Sequence, residues 1–408
     1  MRPRRRRDVS LAPKLLVHRG AGGTFFPPPP PDGTARPSLP LSLPLLLLLL
    51  SPPLAPAPLL AGMNRVEPKD TEVVSPPPDS VSCLKFSPTS NMLVAGSWDN
   101  QIRLWDVQTN GQSVGKAAIQ HDGPILCCGW SGDGARVFSG GADNVVKMWD
   151  LASNNSSVIA RHDAPVKTVH WINDMNLLLT GSWDRSLRYW DGNSANAAHT
   201  IQVPERVYAA DVSFPLLVVA TAERHICIYD LRNPGKEYKR IVSPLKYQSR
   251  CLSLFPNREG FAVGSIEGRV AIHHVESHNS SKDFAFKCHR VDRTASSRSN
   301  GPQDYAVYSV NAINFHQAWG TFATAGSDGS FSIWDKNERQ RLKGFPATGV
   351  PITAADFNNQ GSIYAYAHSY DWSQGHEAYT GDMRRTAIML HSVREDEVKP
   401  KPKAGKKR

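Results

Sequence analysis

Leu93-Val-Ala-Gly-Ser-Trp-Asp99, followed almost at once by Ile102-Arg-Leu-Trp-Asp106, decides how this chain is read. An apolar run ends in small residues, an acid follows, and an alternating run closes on an aromatic residue and Asp. Alternation with a period of two is the signature of a half-buried strand, and a short small-polar break between two such runs marks a tight turn. The pattern returns as Gly140-Gly-Ala-Asp143 with Val145-Val-Lys-Met-Trp-Asp150, and as Gly181-Ser-Trp-Asp184 with Leu187-Arg-Tyr-Trp-Asp191. Weaker copies are Ala220-Thr-Ala-Glu223 with Ile226-Cys-Ile-Tyr-Asp230, Gly264-Ser-Ile-Glu267 ending at His274, and Gly326-Ser-Asp328 with Phe331-Ser-Ile-Trp-Asp335. In each of these six copies the turn acid stands seven residues before the closing position. One Trp-Asp pair would carry no weight, but a recurring offset does.

The closing positions 106, 150, 191, 230, 274 and 335 are 44, 41, 39, 44 and 61 residues apart. Spacings of about 40–45 residues are those of four-stranded propeller blades, and the long interval carries the polar insertion Arg290–Gln303. A degenerate seventh copy runs through Ile352-Thr-Ala-Ala-Asp-Phe357, Ser369-Tyr-Asp371 and Ala387-Ile-Met-Leu390, with an insertion at Trp372–Arg385. The expected fold is therefore all-β, a seven-bladed propeller. A ring that fails to close exposes sheet edges, so Thr71-Glu-Val-Val74 is expected to supply the outer strand of blade seven.

Charge divides the chain differently. The net +10 resides in the ends: residues 1–62 carry +6, residues 394–408 carry +4, and residues 63–393 are neutral. The expected organisation is a Pro/Leu/Arg-rich disordered extension (1–62), the propeller (63–393) and a basic disordered tail (394–408), with Met63 opening the ordinary composition. The tails either attract polyanions such as RNA or are merely solvated. The Leu45–Leu50 run is six residues long between Pro44 and Pro52, far short of the ~20 apolar residues of a spanning helix. No membrane insertion is expected. Six cysteines without CxxC spacing indicate neither zinc nor a disulfide framework, and fit a reducing compartment, nucleus or cytosol. His273, His274, Cys288 and His289 show no ligand pattern. No metal, cofactor or small-molecule substrate is expected.

These repeats resemble the WD40 family, in which a His, a Ser/Thr, the turn Asp and the strand Trp form a buried hydrogen-bond set. The resemblance implies two such sets here: His121, Ser139, Asp143 and Trp149, and His162, Ser182, Asp184 and Trp190. A Ser/His/Asp trio also suggests hydrolysis, but a set repeated in successive blades satisfies buried polar groups; an active site occurs once. The chain is read as a non-enzyme.

Arg161-His-Asp-Ala-Pro-Val-Lys-Thr168, Gly264-Ser-Ile-Glu-Gly-Arg-Val-Ala-Ile-His273, Phe286-Lys-Cys-His-Arg290 and Ser369-Tyr-Asp-Trp-Ser-Gln-Gly-His-Glu377 narrow the resemblance. From Met63 to about residue 392 the chain resembles the WD40 mRNA export factors of the nuclear pore, relatives of a mitotic-checkpoint WD40 protein. The Gly/Phe-rich N-terminus common in those relatives is absent here. The resemblance implies a nuclear, pore-associated scaffold that shuttles to the cytoplasm. Its implied partners are a GLFG-repeat nucleoporin peptide and RNA, with a spindle role in mitosis. The alternative is a mitotic-checkpoint scaffold that binds kinase-borne peptides.

Two candidate surfaces result. Trp98 and Trp183 precede turn acids where Ala142, Ala222 and Ser327 suffice for the repeat. They either cap their own blades or offer their rings to a peptide. In the family they match positions that grip an acidic peptide, and Lys167, Arg206 and Arg250, near inner-strand starts, would pair with its carboxylates. On blades five and six, Arg269, Phe286, Arg339 and Arg341 suit base stacking beside neutralised phosphates, and the resemblance implies a nucleic-acid groove there, with Trp334 in the blade core.

Overall fold

The computed structural model describes residues 70–192, 196–293 and 304–401, the side chain of residue 382 excepted. The extension 1–62 and the last seven residues lie outside the described residues. Seven four-stranded antiparallel sheets are present, six of them built from strands in sequence order. The innermost strands are Val81–Phe86, Ile125–Trp130, Val166–Ile172, Val207–Ser213, Ser249–Leu254, Val310–Phe315 and Ile352–Phe357. Each lies beside the inner strand of the next blade, and the seventh lies beside the first.

The ring closes as expected: Thr71–Glu72 pairs antiparallel with Ala387–Ser392, so blade seven is built from both ends of the chain. The N–H of Val73 continues the pairing to the carbonyl of Ile388 at 2.8 Å. Two further bonds stitch this segment to blade one: Trp105 Nε1 donates to the Val74 carbonyl (2.8 Å), and the Val74 N–H donates to Ser113 Oγ (3.0 Å).

Apolar side chains are shared between neighbours and not gathered at the centre. Seven clusters each join two adjacent blades: one packs Leu104 and Ile102 of blade one on Trp130 and Trp149 of blade two, and another packs Ala365 and Ile388 of blade seven on Val81 and Leu93 of blade one. The alternating strands leave the residues between them to point at one neighbour or the other.

One irregularity recurs in every blade. The register slips at the second residue of each inner strand, between Val81 and Cys83, Ile125 and Cys127, Val166 and Thr168, Val207 and Ala209, Ser249 and Cys251, Val310 and Ala312, and Ile352 and Ala354. A β-bulge leaves one residue unpaired and re-aims its side chain. The bulged residues Ser82, Leu126, Lys167, Tyr208, Arg250, Asn311 and Thr353 all line the central channel.

The C-terminal segment differs from the expected tail. Glu395–Val398 forms a single helical turn with Glu397 and Val398 buried. Thr321 Oγ1 donates to the Val398 carbonyl at 2.7 Å, and Gln340 Nε2 donates to the Lys401 carbonyl at 2.7 Å. The packed body thus continues past residue 393 to Lys401. The reason is apolar burial of Val398 together with ion pairing: His391 sits between Asp70 (2.8 Å) and Glu397 (3.0 Å), and Arg394 pairs with Glu397 at 2.8 Å.

Candidate functional site

One rim of the ring carries the starts of the inner strands and the turn before each third strand. Backbone bonds hold the two together: Trp98 N–H to the Ser80 carbonyl (2.9 Å), Trp183 N–H to Pro165 (3.0 Å), and Ala142, Ala222, Ile266 and Ser327 in the same way. Trp98 is 46% exposed and Trp183 38%, so neither indole is sealed under its own blade. In blade seven the equivalent bond is made by Ser369 to Pro351. Tyr370, which the turn acid Asp371 would place at the Trp98 position, is one residue further on and is buried, its hydroxyl bonded to the Gly375 carbonyl.

Trp372, in the blade-seven insertion, is a third outward indole, 39% exposed. Its Nε1 donates to Ser80 Oγ (3.3 Å), which places it beside the first blade. Tyr247 and Ile266 are also exposed on this rim.

At the channel mouth two cations occupy bulge positions. Burial lowers the Lys167 pKa, and the charge of Arg250 lowers it further. Proximity of two positive groups without an acid between them favours an anionic guest. Arg250 Nε donates to Asn311 Oδ1 at 3.2 Å. Arg206 stands apart from this pair: it precedes the inner strand, does not line the channel, and pairs with Glu205 at 3.2 Å.

The second candidate surface is the wall between blades five and six. The outer strands Phe284–Lys287 and Gln340–Phe345 flank it. Phe286 differs from the exposed ring expected of it. It is half-buried, with its centroid 4.6 Å from that of Trp334 and 6.1 Å from Phe284, because alternate residues of its strand turn inward onto blade six. Trp334 in turn donates to Thr324 Oγ1 at 2.9 Å and is itself only half-buried, so it belongs to core and wall together. The Arg339 guanidinium lies 4.7 Å over the Phe284 ring, a cation–π arrangement. Arg341 is exposed and lies opposite Trp334 in register. Arg269 lies at the other end of the wall, opposite Lys287, and pairs with Glu267 at 3.2 Å. The structure therefore brings Phe286, Arg339 and Arg341 together and leaves Arg269 partly neutralised at the margin.

The pattern described as "WD domain, G-beta repeat" matches residues 71–106, 115–150 and 154–191. The chain is 50% identical over 341 residues to "Protein RAE1" of Arabidopsis thaliana, covering 83% of this chain and 94% of that protein. It is 51% identical over 345 residues to the "mRNA export factor" of Xenopus tropicalis, covering 82% and 92%. It is 47% identical over 341 residues to the "Poly(A)+ RNA export protein" of Schizosaccharomyces pombe, covering 83% and 94%. The chain belongs to the WD40 mRNA export factor family.

In this export-factor propeller the buried polar sets differ in detail from expectation. His121 bonds Asp143 (2.9 Å) and Ser139 (2.8 Å), but Trp149 turns away and donates to Asn154 at 3.0 Å. Asn154 adopts φ +52° in the turn that follows the strand, which swings a local acceptor under the indole. In blade three His162 bonds Asp184 (2.8 Å) and Thr180 (2.7 Å), and Trp190 donates to the same Thr180 at 2.8 Å. Ser182 is not the hydroxyl of this set; it ends the strand and donates to the Ala164 carbonyl. A third set, unforeseen from sequence, joins His289 to Asp328 (2.8 Å) and Thr324 (3.0 Å). In all three the hydroxyl residue stands four before the acid, a spacing that would have found Thr180 and Thr324. Burial alone would raise the carboxyl pKa values, but bonds from the histidines hold Asp143, Asp184 and Asp328 below their ordinary value. Three copies of the His–Asp–hydroxyl arrangement, each internally satisfied, bind the sheets.

Among the described residues no group of His, Cys, Asp and Glu is arranged to hold a metal, and no described helix is long and apolar enough to cross a membrane.

Proposed function

We propose that the chain is a non-enzymatic scaffold of nuclear mRNA export that grips a GLFG-repeat nucleoporin peptide on its indole rim and RNA on the blade-five/six wall. The observation that carries the reading is the pairing of outward indoles with a cationic channel mouth. Trp98, Trp183 and Trp372 supply rigid aromatic anchors, a residue type enriched where peptides dock. Lys167 and Arg250 supply charge for acidic side chains between them. Arg206 contributes from the edge of the same rim. Relatives named for mRNA and poly(A)+ RNA export support RNA as the second partner, and Phe284, Phe286, Arg339 and Arg341 offer rings and charge suited to an unpaired strand. On this reading residues 70–401 are the binding unit, working at the nuclear envelope.

The test is capture of the nucleoporin segment by the intact chain and by Trp98→Ala/Trp183→Ala. The double variant should lose at least tenfold in affinity, the effect of removing two anchors worth ~1 kcal/mol or more each. Undiminished capture by the variant would end the rim hypothesis. A tighter grip on the checkpoint-kinase segment than on the nucleoporin segment would replace mRNA export with the mitotic scaffold.

A further inference from the structure

We propose that Cys83 and Cys128 form a dithiol on the wall of the central channel, which hydrogen peroxide closes to a disulfide that ties blade one to blade two. Three blades carry a cysteine at one position, and one of the three is bonded differently.

Cys83, Cys127 and Cys251 each follow the bulge of an inner strand, opposite Gly96, Gly140 and Gly264. In two of them the thiol is committed to the next blade. Cys127 Sγ donates to the Val166 carbonyl at 3.6 Å, and Cys251 Sγ donates to the Val310 carbonyl at 3.4 Å. Each acceptor opens the next inner strand. For Cys83 the equivalent acceptor is the Ile125 carbonyl, and Ser82 Oγ is bonded to it instead. Leu126 and Arg250 stand at that bulge in the other two blades and leave the carbonyl to the thiol.

Cys83 therefore has another partner. The inner strands of blades one and two are held side by side at two points, Ser82 on Ile125 and Trp130 Nε1 on the Lys85 carbonyl at 3.1 Å. Between these points Cys128 turns toward blade one and packs in the same cluster as Cys83, whereas Cys127 turns toward blade three. The Cys128 thiol donates to the Cys83 sulfur, and this bond together with burial raises Cys128 well above its ordinary pKa. Burial alone would raise Cys83 as well, but the bond from Cys128 holds it below its ordinary value, and the nearby Lys167 charge acts in the same sense. Burial pushes Cys127 up, and Cys251 up to about 12. The thiolate is the form that oxidises. Cys83 is half-buried, and both it and Cys128 line the channel.

The channel space at these residues is about 190 Å³, enough for a peroxide molecule. The Cys83 sulfur attacks one peroxide oxygen and the O–O bond breaks. The departing hydroxide takes the thiol proton and leaves as water, and Cys83 becomes a sulfenic acid. The Cys128 sulfur then attacks the Cys83 sulfur and the S–O bond breaks. The second hydroxide leaves as water with the Cys128 proton. Two thiols are oxidised to one disulfide, and one peroxide is reduced to two waters. The bridge closes a loop that contains the last three strands of blade one and Trp98. In a reducing compartment such a bridge is transient, as in redox sensors.

The experiment uses the full chain, reduced and then treated with hydrogen peroxide. It is next unfolded, alkylated and mapped by mass spectrometry. The expected product is a cross-linked Cys83–Cys128 peptide that dithiothreitol reverses, with Cys127, Cys227, Cys251 and Cys288 alkylated. Closing so long a loop should raise Tm by about 3–6 °C. Cys128→Ser keeps a donor beside Cys83 but removes the second sulfur. It should stop at the sulfenic acid, trapped by dimedone on Cys83 about tenfold faster than on Cys127 or Cys251. Cys83→Ser should leave Cys128 a thiol, and Cys127→Ser should keep the bridge. Melting of the reduced variants verifies that each is folded. Six free thiols in the treated, folded chain overturn the proposal, as does a bridge from Cys83 to Cys127. Dimedone labelling that falls equally on Cys83, Cys127 and Cys251 overturns it too.

Discussion

Blade three and blade seven use the same four-stranded plan and are held together by opposite means. Blade three is contiguous from Val166 to Gln202, and its buried hydroxyl, Thr180, is bonded to both a histidine and a tryptophan from within the blade and the turn before it. Among the described residues blade seven shows no such set. Its outer strand arrives from the other end of the chain, and its histidine, His391, bridges Asp70 at the beginning to Glu397 at the end. Tyr366 adds a hydroxyl bond to Asp70. Within a contiguous blade the turns keep strands near one another even when a bond is lost. At the seam a two-residue strand, the Val73–Ile388 backbone bond, burial of Val73 and side-chain pairing keep the ends together, so each bond there counts for more.

Deleting the chain through Val74 tests this most severely. It removes the Asp70 clasp, the outer strand and the Trp105 partner, and should abolish cooperative unfolding by calorimetry. A comparable folded transition in the truncated protein would show that the seam is dispensable.

His391 gives the next largest effect. Burial alone would lower its pKa, yet the bonds to Asp70 and Glu397 raise it to about 9. A histidine with a folded pKa above its ordinary ~6.5 adds stability that is fully present below pH 6.5 and is lost as pH rises toward 9. At ~1.36 kcal/mol per unit the contribution is about 3 kcal/mol. His391→Ala should therefore cost about that much more at pH 6 than at pH 9.5, measured by urea unfolding.

Thr180→Val in blade three should cost less, about 2 kcal/mol, by leaving the buried Trp190 Nε1–H without its acceptor and His162 Nε2 without its hydroxyl partner. Its cost should not fade between pH 6.5 and 9. The carboxylate of that set, Asp184, is held below its ordinary pKa, so its contribution is present above pH ~3.9 and lost as pH falls further. Blade three is weakened by acid and the seam by base; parallel pH profiles for the two variants would erase the distinction.

Much of this is legible in the amino-acid order alone. The recurrent offset between turn acid and closing aromatic locates the blades, and the need to close a ring assigns Thr71–Glu72 to blade seven. The same reasoning leaves Trp98 and Trp183 without a packing role, and they do face outward. It fails wherever a single residue of register matters. Ser182 and Thr180 are both small hydroxyls on one face of one strand, and what separates them is the four-residue spacing to the turn acid, which sets Thr180 opposite His162. Counting from its acid puts Tyr370 on the rim, whereas the Ser369–Pro351 bond sets the chain one residue earlier. Trp372 sits in an insertion with no repeat to compare it with. The docking of residues 394–401 is hidden by composition: Glu397 reads as a solvated charge until the helical turn folds it back onto Arg394 and His391, the latter held from its other side by Asp70.

The sevenfold bulge has a consequence for how such a ring can change. Because the slipped residue takes no part in strand pairing, the ladder itself does not dictate its identity, and serine, leucine, lysine, tyrosine, arginine, asparagine and threonine all occupy equivalent places. The axis is thus fitted with seven interchangeable slots. A single codon can alter the chemistry of the opening, from greasy to charged, while the strand ladder around it keeps its pairing.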